Sequence, residues 1–514
     1  MTINPRVYQL LVGLFAALGS FTYGYDLGVI GGSVASDSFK ARFGLTADEV
    51  GAVVSVFTGG GFFGTMVAGT CADRLGRRLA IIIGALIFIL GGILQASAQN
   101  FGYLLGGRIV AGLGVGMLVM IIPLYQAEIA HADIRGRITA FQQLLLGVGA
   151  CTATFVVYGT TKDYNTELEW RLPLGIQVIP TGILALLILL FPESPRWLIG
   201  HDRQDSGLKT LARLHANGDT SDPWVCAEYD QICRSIAMER EGAAKGYREL
   251  FADRTSFRRL LLTTALQASV QMTGVSAIQY FTPTIYSNLN IGTTASLKYQ
   301  GISNALSIVA QACTAIFIDR IGRRWPLIIG NLINGLCFVV ITAIQGTFLG
   351  SSPSRQNGLG WGFIVTNWIY QVSFSFTCGS LSWIIPAEIF DTKTRSKGVS
   401  IGVMTSFAFN TLIGQITEPA LSGSNKWAYF LLFVVCNFTN ALFFWAFMPE
   451  TKKRPLEEMN VLFAQTSWFV PTTNTKALGS DMAVRLEEKR LKREEEKIDE
   501  HVVYMEKLPT PETG

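Results

Sequence analysis

Long uncharged stretches alternate with short polar breaks along this chain, and each stretch holds about 20 helical residues, enough to cross ~30 Å of hydrocarbon. They fall near 10–32, 50–71, 78–97, 102–126, 138–160 and 172–191, then near 260–287, 297–318, 325–348, 360–386, 398–421 and 426–448. The pattern predicts an all-α membrane protein with twelve transmembrane helices in two six-helix halves, residues 1–191 and 258–448. A polar linker with short helices, 192–257, joins the halves, and a polar tail, 449–514, follows. No small-residue cleavage site accompanies the first apolar run, so the first helix is expected to stay as an anchor.

Charge placement sharpens this picture. Only 16% of residues are charged, against roughly 25% in a soluble domain. Residues 192–259 hold 22 of the 80 charges and 449–514 another 24, so the remaining chain has no polar surface to show water. Soluble, secreted, disordered and fibrous classes are excluded. Net charge is +4 with no basic block outside the loops, which speaks against a nucleic-acid partner. With the N-terminus inside, the short inner loops carry eleven Lys and Arg and the outer loops six. Both termini and the linker are therefore expected in the cytosol.

The halves repeat each other. Asp73-Arg74-Leu75-Gly76-Arg77-Arg78 returns 246 residues later as Asp319-Arg320-Ile321-Gly322-Arg323-Arg324. Glu128 precedes Arg135 by seven residues, as Glu388 precedes Arg395, and Pro192-Glu193-Ser194 matches Pro449-Glu450-Thr451. Nearly equal offsets in one order mark a duplicated six-helix unit.

Asp26 stands out within an apolar helix, where a charge costs about 2.5–3.5 kcal/mol on the mildest scale. Helix one ends near residue 32 and helix four begins near 102, so Asp26 and Arg108 each lie six residues from the same edge. At 1.5 Å per residue both sit roughly 9 Å deep, and they are expected to pair. Six cysteines (Cys71, Cys151, Cys313, Cys337, Cys378 and Cys436) lie in or beside apolar runs and read as packing residues, while Cys226 and Cys233 lack metal or redox spacing. His131, His201, His215 and His501 all fall in loops or the tail. No nucleophile–base constellation or metal cluster appears, so neither an enzyme nor a cofactor is expected. Gly112-Leu113-Gly114-Val115-Gly116 follows no strand and reads as helix packing, not a nucleotide loop.

These motifs, with Gly107-Arg108, Pro192 to Leu198, Gln271 to Phe281 and Pro449 to Lys452, resemble the sugar porters of the major facilitator superfamily over about residues 10–455. Tyr23-Gly24-Tyr25-Asp26 and Pro386-Ala387-Glu388-Ile389-Phe390 look like the fungal monosaccharide branch. The resemblance implies alternating access at the plasma membrane for a sugar or sugar-like solute, with the lipid bilayer as surroundings and no specific protein partner. It implies substrate binding by Gln143, Gln271, Ser276, Tyr280, Trp383 and Asn410. It implies a conformational latch of Asp73, Arg74, Arg77, Arg78, Glu128, Arg135, Glu193, Asp319, Arg320, Arg323, Arg324, Glu388, Arg395 and Glu450, clamping the halves when the outside is open; the bland reading is topology anchoring alone. In proton-coupled relatives the matching Asp and Arg carry coupling, which makes Asp26 and Arg108 candidates; the alternative is a fixed structural pair.

The chain also departs from the family pattern. A usual glutamine is Val270, a usual asparagine Ser276, a usual tyrosine Phe281, a usual helix-eight asparagine Ser307, and a usual tryptophan Phe407. Gln142, Gln267, Gln279, Asn304, Gln311 and Gln415 are possible replacements, each as readily a packing amide. Gln267 and Gln271 are four apart and share a face of their helix, and Tyr280 is expected to continue it to within roughly 40°. The expected function is proton-coupled sugar symport, with a facilitative uniporter and a non-transporting sensor as rivals.

Overall fold

A computed structural model describes residues 4–131, 135–164, 166–242, 249–348, 350–390, 394–423, 425–452, 462–463 and 467–472. Every regular element among these residues is helical. Most of the polar tail expected over 449–514 lies outside them.

The first half opens with helix one, Pro5–Ala16 continuing as Leu18–Ala35, then runs through helix two, Ala47–Leu75, and helix three, Arg77–Ala96. Helix four spans Phe101–Ile129, helix five Arg135–Asp163, and helix six Leu168–Ile176 continuing as Val178–Leu187. Caps fix where they begin. Asn4 accepts from Arg6 N and Pro5 takes the first turn, where its missing N–H costs nothing. Thr46 and Glu49 exchange side-chain and backbone bonds in a capping box. Helices two and four touch backbone to backbone. A Cβ on Gly112 would lie 2.1 Å from Phe57 O, and one on Gly116 would lie 2.2 Å from Gly61 O. The glycine run expected to serve close packing is therefore found doing so.

Four linker helices follow, Pro195–Gly200, Gln204–His215, Pro223–Gly242 and Glu249–Ala252. Leu211, with Leu208 beside it, forms a small core with Ala212 and Val225, whereas Leu214 reaches into the core of the first half. Gln9 Nε2 donates to Leu214 O at 2.9 Å and Trp197 Nε1 to Asp73 O at 2.9 Å. The linker is thus pinned to the first half.

The second half repeats the plan with more irregular helices. Helix seven is Arg254–Met272 and Val275–Ser287, helix eight Thr293–Ile321, helix nine Arg324–Phe348, helix eleven Arg395–Ser422 and helix twelve Lys426–Phe447. Helix ten comprises Pro353–Phe374, a π-turn at Ser375–Gly379, and Ser380–Ile389. Among the described residues nine of the twelve are long and apolar enough to cross a membrane on composition alone. Helices seven, eight and ten fall short; helix seven is split into segments of 19 and 13 residues, and all three carry buried amides, among them Gln267, Gln271, Gln300, Gln311, Asn367 and Gln371. A polar helix survives in lipid only where protein or a wet cavity shields its polar side.

Between the halves, helix one meets helix seven, helix two meets helix eleven, and helix five meets helix eight. Close contacts cluster toward the end opposite the Arg-rich loops. Ser55 Oγ donates to Gln415 Oε1 at 2.7 Å, Gln415 Nε2 to Asp48 O at 3.2 Å, and Thr58 and Thr411 hydroxyls meet at 2.8 Å. A Cβ on Gly31 would lie 2.3 Å from Tyr280 O. Only glycine lets helices one and seven touch there, and that far end is closed.

Candidate functional site

The site has two parts joined by helix one. The first is the expected ion pair: Arg108 Nη1 donates to Asp26 Oδ1 at 2.6 Å, with both side chains fully shielded. Arg108 is held from three further directions. Its Nε donates to Val53 O at 3.0 Å, Nη1 also reaches Gln95 Oε1 at 3.3 Å, and the guanidinium sits 4.3 Å from the centroid of Phe57. Among the described residues Asp26 Oδ2 and Arg108 Nη2 have no hydrogen-bond partner. Buried charged groups left half satisfied are costly, so the pair is held but not saturated.

The second part is a cavity of about 70 Å³ between the halves, room for roughly five to seven waters at ~10–15 Å³ each. Helix one contributes Tyr23 and Leu27, helix five Gln143, helix seven Gln267, Gln271 and Gln279, helix ten Ser382 and Trp383, and helix eleven Ser406 and Asn410. The π-turn of helix ten brings Phe374 and Gly379 to the wall, a role such turns often take at functional sites. Among the described residues no charged side chain lines it.

Gln271 is pre-oriented. Ser276 Oγ donates to its Oε1 at 2.5 Å, and its Nε2 donates to Ser406 Oγ at 2.9 Å. A primary amide has two donors and two acceptor lone pairs, so one of each remains for a solute. Gln143 Oε1 and Asn410 Oδ1 are buried with no partner among the described residues. Two idle acceptors beside an aromatic indole suit hydroxyl groups on a ring with an apolar face.

Of the residues expected at the binding site, Gln143, Gln271, Trp383 and Asn410 line the cavity, and Ser276 stands behind Gln271. Tyr280 does not line it; the side chain is buried and its hydroxyl has no partner among the described residues. The expected shared face required an unbroken helix, whereas Thr273 and Gly274 interrupt helix seven and Gly274 takes φ of 97°. A Cβ on Gly274 would also lie 2.4 Å from Phe338, so the break is built around glycine.

The possible replacement amides sort cleanly. Gln267 and Gln279 face the cavity. Asn304 bonds Thr154 between helices eight and five at 3.0 Å, and Gln415 ties helices eleven and two; Gln142 and Gln311 are not part of the wall. Ser307 donates to Ser303 O within its own helix, and Phe407 stands 5.9 Å from Tyr23 across the cavity. Tyr23, Ser382 and Ser406 were not anticipated. Ser406 precedes Asn410 by four residues on helix eleven, so helical spacing held that signal.

The Arg-rich loops form the same wiring twice. Arg77 Nε and Nη2 each reach Glu128 at 2.9 Å, Arg77 N and Arg78 N donate to Glu193 at 3.1 Å, and Arg78 Nη2 caps Leu189 O at 2.6 Å. In the second half Arg323 reaches Glu388 at 3.2 and 2.7 Å, Arg323 N and Arg324 N donate to Glu450 at 2.9 and 3.1 Å, and Arg324 Nη2 caps Trp445 O at 2.6 Å. Asp73 adds a pair to Arg77 at 3.4 Å, Arg74 and Arg320 are exposed, and Arg395 donates to Phe390 O at 3.3 Å. The side chains of Arg135 and Asp319 lie outside the described set. Each of these pairs joins groups within one half, so in this conformation they tie helix ends inside each half.

A family model described as "Sugar (and other) transporter" matches residues 12–463. The MFS glucose transporter mfs1 of Aspergillus flavus is 31% identical over 474 residues, covering 87% of this chain and 88% of the relative. The MFS-type transporter criB of Aspergillus cristatus is 31% identical over 455 residues, covering 88% and 93%. Among solved structures, the MFS proton:xylose symporter XylE bound to 6-bromo-6-deoxy-D-glucose superposes with a TM-score of 0.75 at 23% identity, covering 89% of this chain and 100% of that one.

Proposed function

The chain belongs to the sugar porter family of the major facilitator superfamily, a family of membrane transporters and not of enzymes, and we propose that it is a proton-coupled symporter of a neutral monosaccharide or polyol. The observation that carries this reading is the water-excluded Asp26–Arg108 pair, on the helix whose Tyr23 and Leu27 line the cavity wall. Absence of charge in that wall favours a neutral solute over a sugar acid, because an anion would be left unpaired there.

Helix one supplies the coupling. Tyr23 and Leu27 touch the cavity, Asp26 holds Arg108, and Gly31 meets the backbone of Tyr280 at the closed end. A proton on Asp26 removes its attraction for Arg108, while Val53 O, Gln95 and the Phe57 ring still hold the guanidinium. Helix one is then free to move against helix four with the solute bound. Ligand and proton thus bias one rocking equilibrium.

The six cavity and partner residues Gln143, Gln271, Ser276, Trp383, Asn410 and Gln267 recognise the solute in this reading. The Arg-rich end, with both termini, the linker 192–257 and the tail 449–514, faces the cytosol of a plasma-membrane protein in this reading. The latch groups exchange partners across the halves when the outside opens. The test is uptake of a panel of labelled sugars and polyols by cells lacking their own sugar transporters. Uptake of one neutral solute class supports the reading; uptake confined to sugar acids, or none from a chain present at the cell surface, refutes it.

A further inference from the structure

A second cavity lies apart from the one between the halves. It is an open groove of about 640 Å³ on the Arg-rich end of the first half. It sits where the membrane spans of helices two, three and six end, at Leu75, Arg77 and Leu190. Its polar side carries four cations, Arg78, Arg203, Lys209 and Arg213, against one acid, Glu193. That carboxylate already accepts from the backbone of Arg77, Arg78 and Ser194. Arg203, Lys209 and Arg213 are exposed on the linker, and the buried Nε of Arg78 has no partner among the described residues. The other side is apolar and open: Leu75, Leu79, Leu189 and Leu190 are 44%, 50%, 53% and 70% exposed.

At the matching end of the second half the chain partly covers itself. Phe469 packs against Trp445 with ring centroids 5.8 Å apart, and Val470 is buried. The first-half leucines have no such cover among the described residues.

We propose that this groove binds an anionic phospholipid, its phosphate between Arg78 and the linker cations and its acyl chains along the leucines. Charge complementarity selects an anion, and the leucine wall selects one that carries hydrocarbon. Basic groups near a membrane surface attract anionic lipid with about fivefold per charge. The bound lipid ties the linker helix Gln204–His215 to the ends of helices three and six. The inference is independent of which solute is carried.

The test titrates the full chain in neutral detergent with phosphatidylglycerol, phosphatidylcholine or inorganic phosphate, following the thermal unfolding midpoint. Phosphatidylglycerol is expected to raise the midpoint and the other two to leave it in place. The double variant Arg203→Ala, Lys209→Ala is expected to need roughly thirtyfold more phosphatidylglycerol for the same rise, and Arg355→Ala, at the far end, the parental amount. Lys209→Glu, a charge reversal at an exposed site, provides an independent variant with the same direction. An unchanged response in these variants overturns the site. An equal rise with inorganic phosphate, or with phosphatidylcholine, overturns the anionic lipid as its ligand.

Discussion

Gly31→Ala perturbs the closed end of the bundle directly. The new Cβ would lie 2.3 Å from Tyr280 O, 1.1 Å short of the 3.4 Å at which ordinary contact begins. The neighbour is backbone, in helix seven beside the kink at Phe281, so it cannot rotate away as a side chain would. Overpacking of this kind costs about 1–3 kcal/mol, and the cost falls only on the state in which helices one and seven touch. The open-outside state is relieved of it, so the ratio of the two states should shift roughly 5- to 150-fold. Spin labels at Lys40 and Arg355, with the exposed Cys226 replaced by Ser, report the separation of the halves at that end. The variant is expected to gain population at long distance in the absence of solute. Gly159→Ala, where the added Cβ meets nothing within 4 Å, should leave the distribution unchanged. An unshifted Gly31→Ala distribution, in a variant that folds as the parent does, would refute the claim that this contact closes the outer gate.

Three further predictions follow from other parts of the chain. Arg77→Ala strands Glu128, whose side chain is only 8% exposed, and should cost about 3–5 kcal/mol of stability; Arg323→Ala leaves the 26% exposed Glu388 with Thr451 still donating to it and should cost less, as thermal unfolding in detergent will show. Gln271→Ala removes the amide oriented by Ser276 and Ser406 and should weaken solute binding about tenfold with expression intact; unchanged affinity removes Gln271 from the site. Asp253 caps helix seven by accepting from Thr255 and Ser256, which holds its carboxyl below the ordinary carboxylate value. Its stabilisation is complete above that ordinary value and is lost as pH falls through the depressed one. Asp253→Ala should therefore cost about 1 kcal/mol at neutral pH and nothing in strong acid, measured as the gap between unfolding midpoints.

The Asp26–Arg108 pair was legible in the sequence because depth in a membrane helix is simple arithmetic and an apolar segment leaves a charge few partners. The doubled loops were legible for a related reason: duplication prints the same acids and arginines twice, and the structure wires Arg77 and Arg323 alike. Tyr280 falls outside the cavity lining, which periodicity could not foresee because it has no access to a backbone break such as the Thr273–Gly274 interruption. The amides resisted for another reason. Gln279 and Gln415 look equivalent on a helical projection, and only the packing of helices from opposite halves decides that one faces a cavity and the other seals a gate.

The most direct test of proton coupling through Asp26 compares the parent chain with Asp26→Asn in reconstituted vesicles, using the transported sugar, for net accumulation under an inward proton gradient and for exchange of labelled against unlabelled solute. The account predicts that the parent accumulates sugar until a protonophore collapses the gradient, and that the variant exchanges sugar but never accumulates it. Gradient-driven accumulation by Asp26→Asn, or a parent that only equilibrates its sugar whatever the gradient, would contradict it.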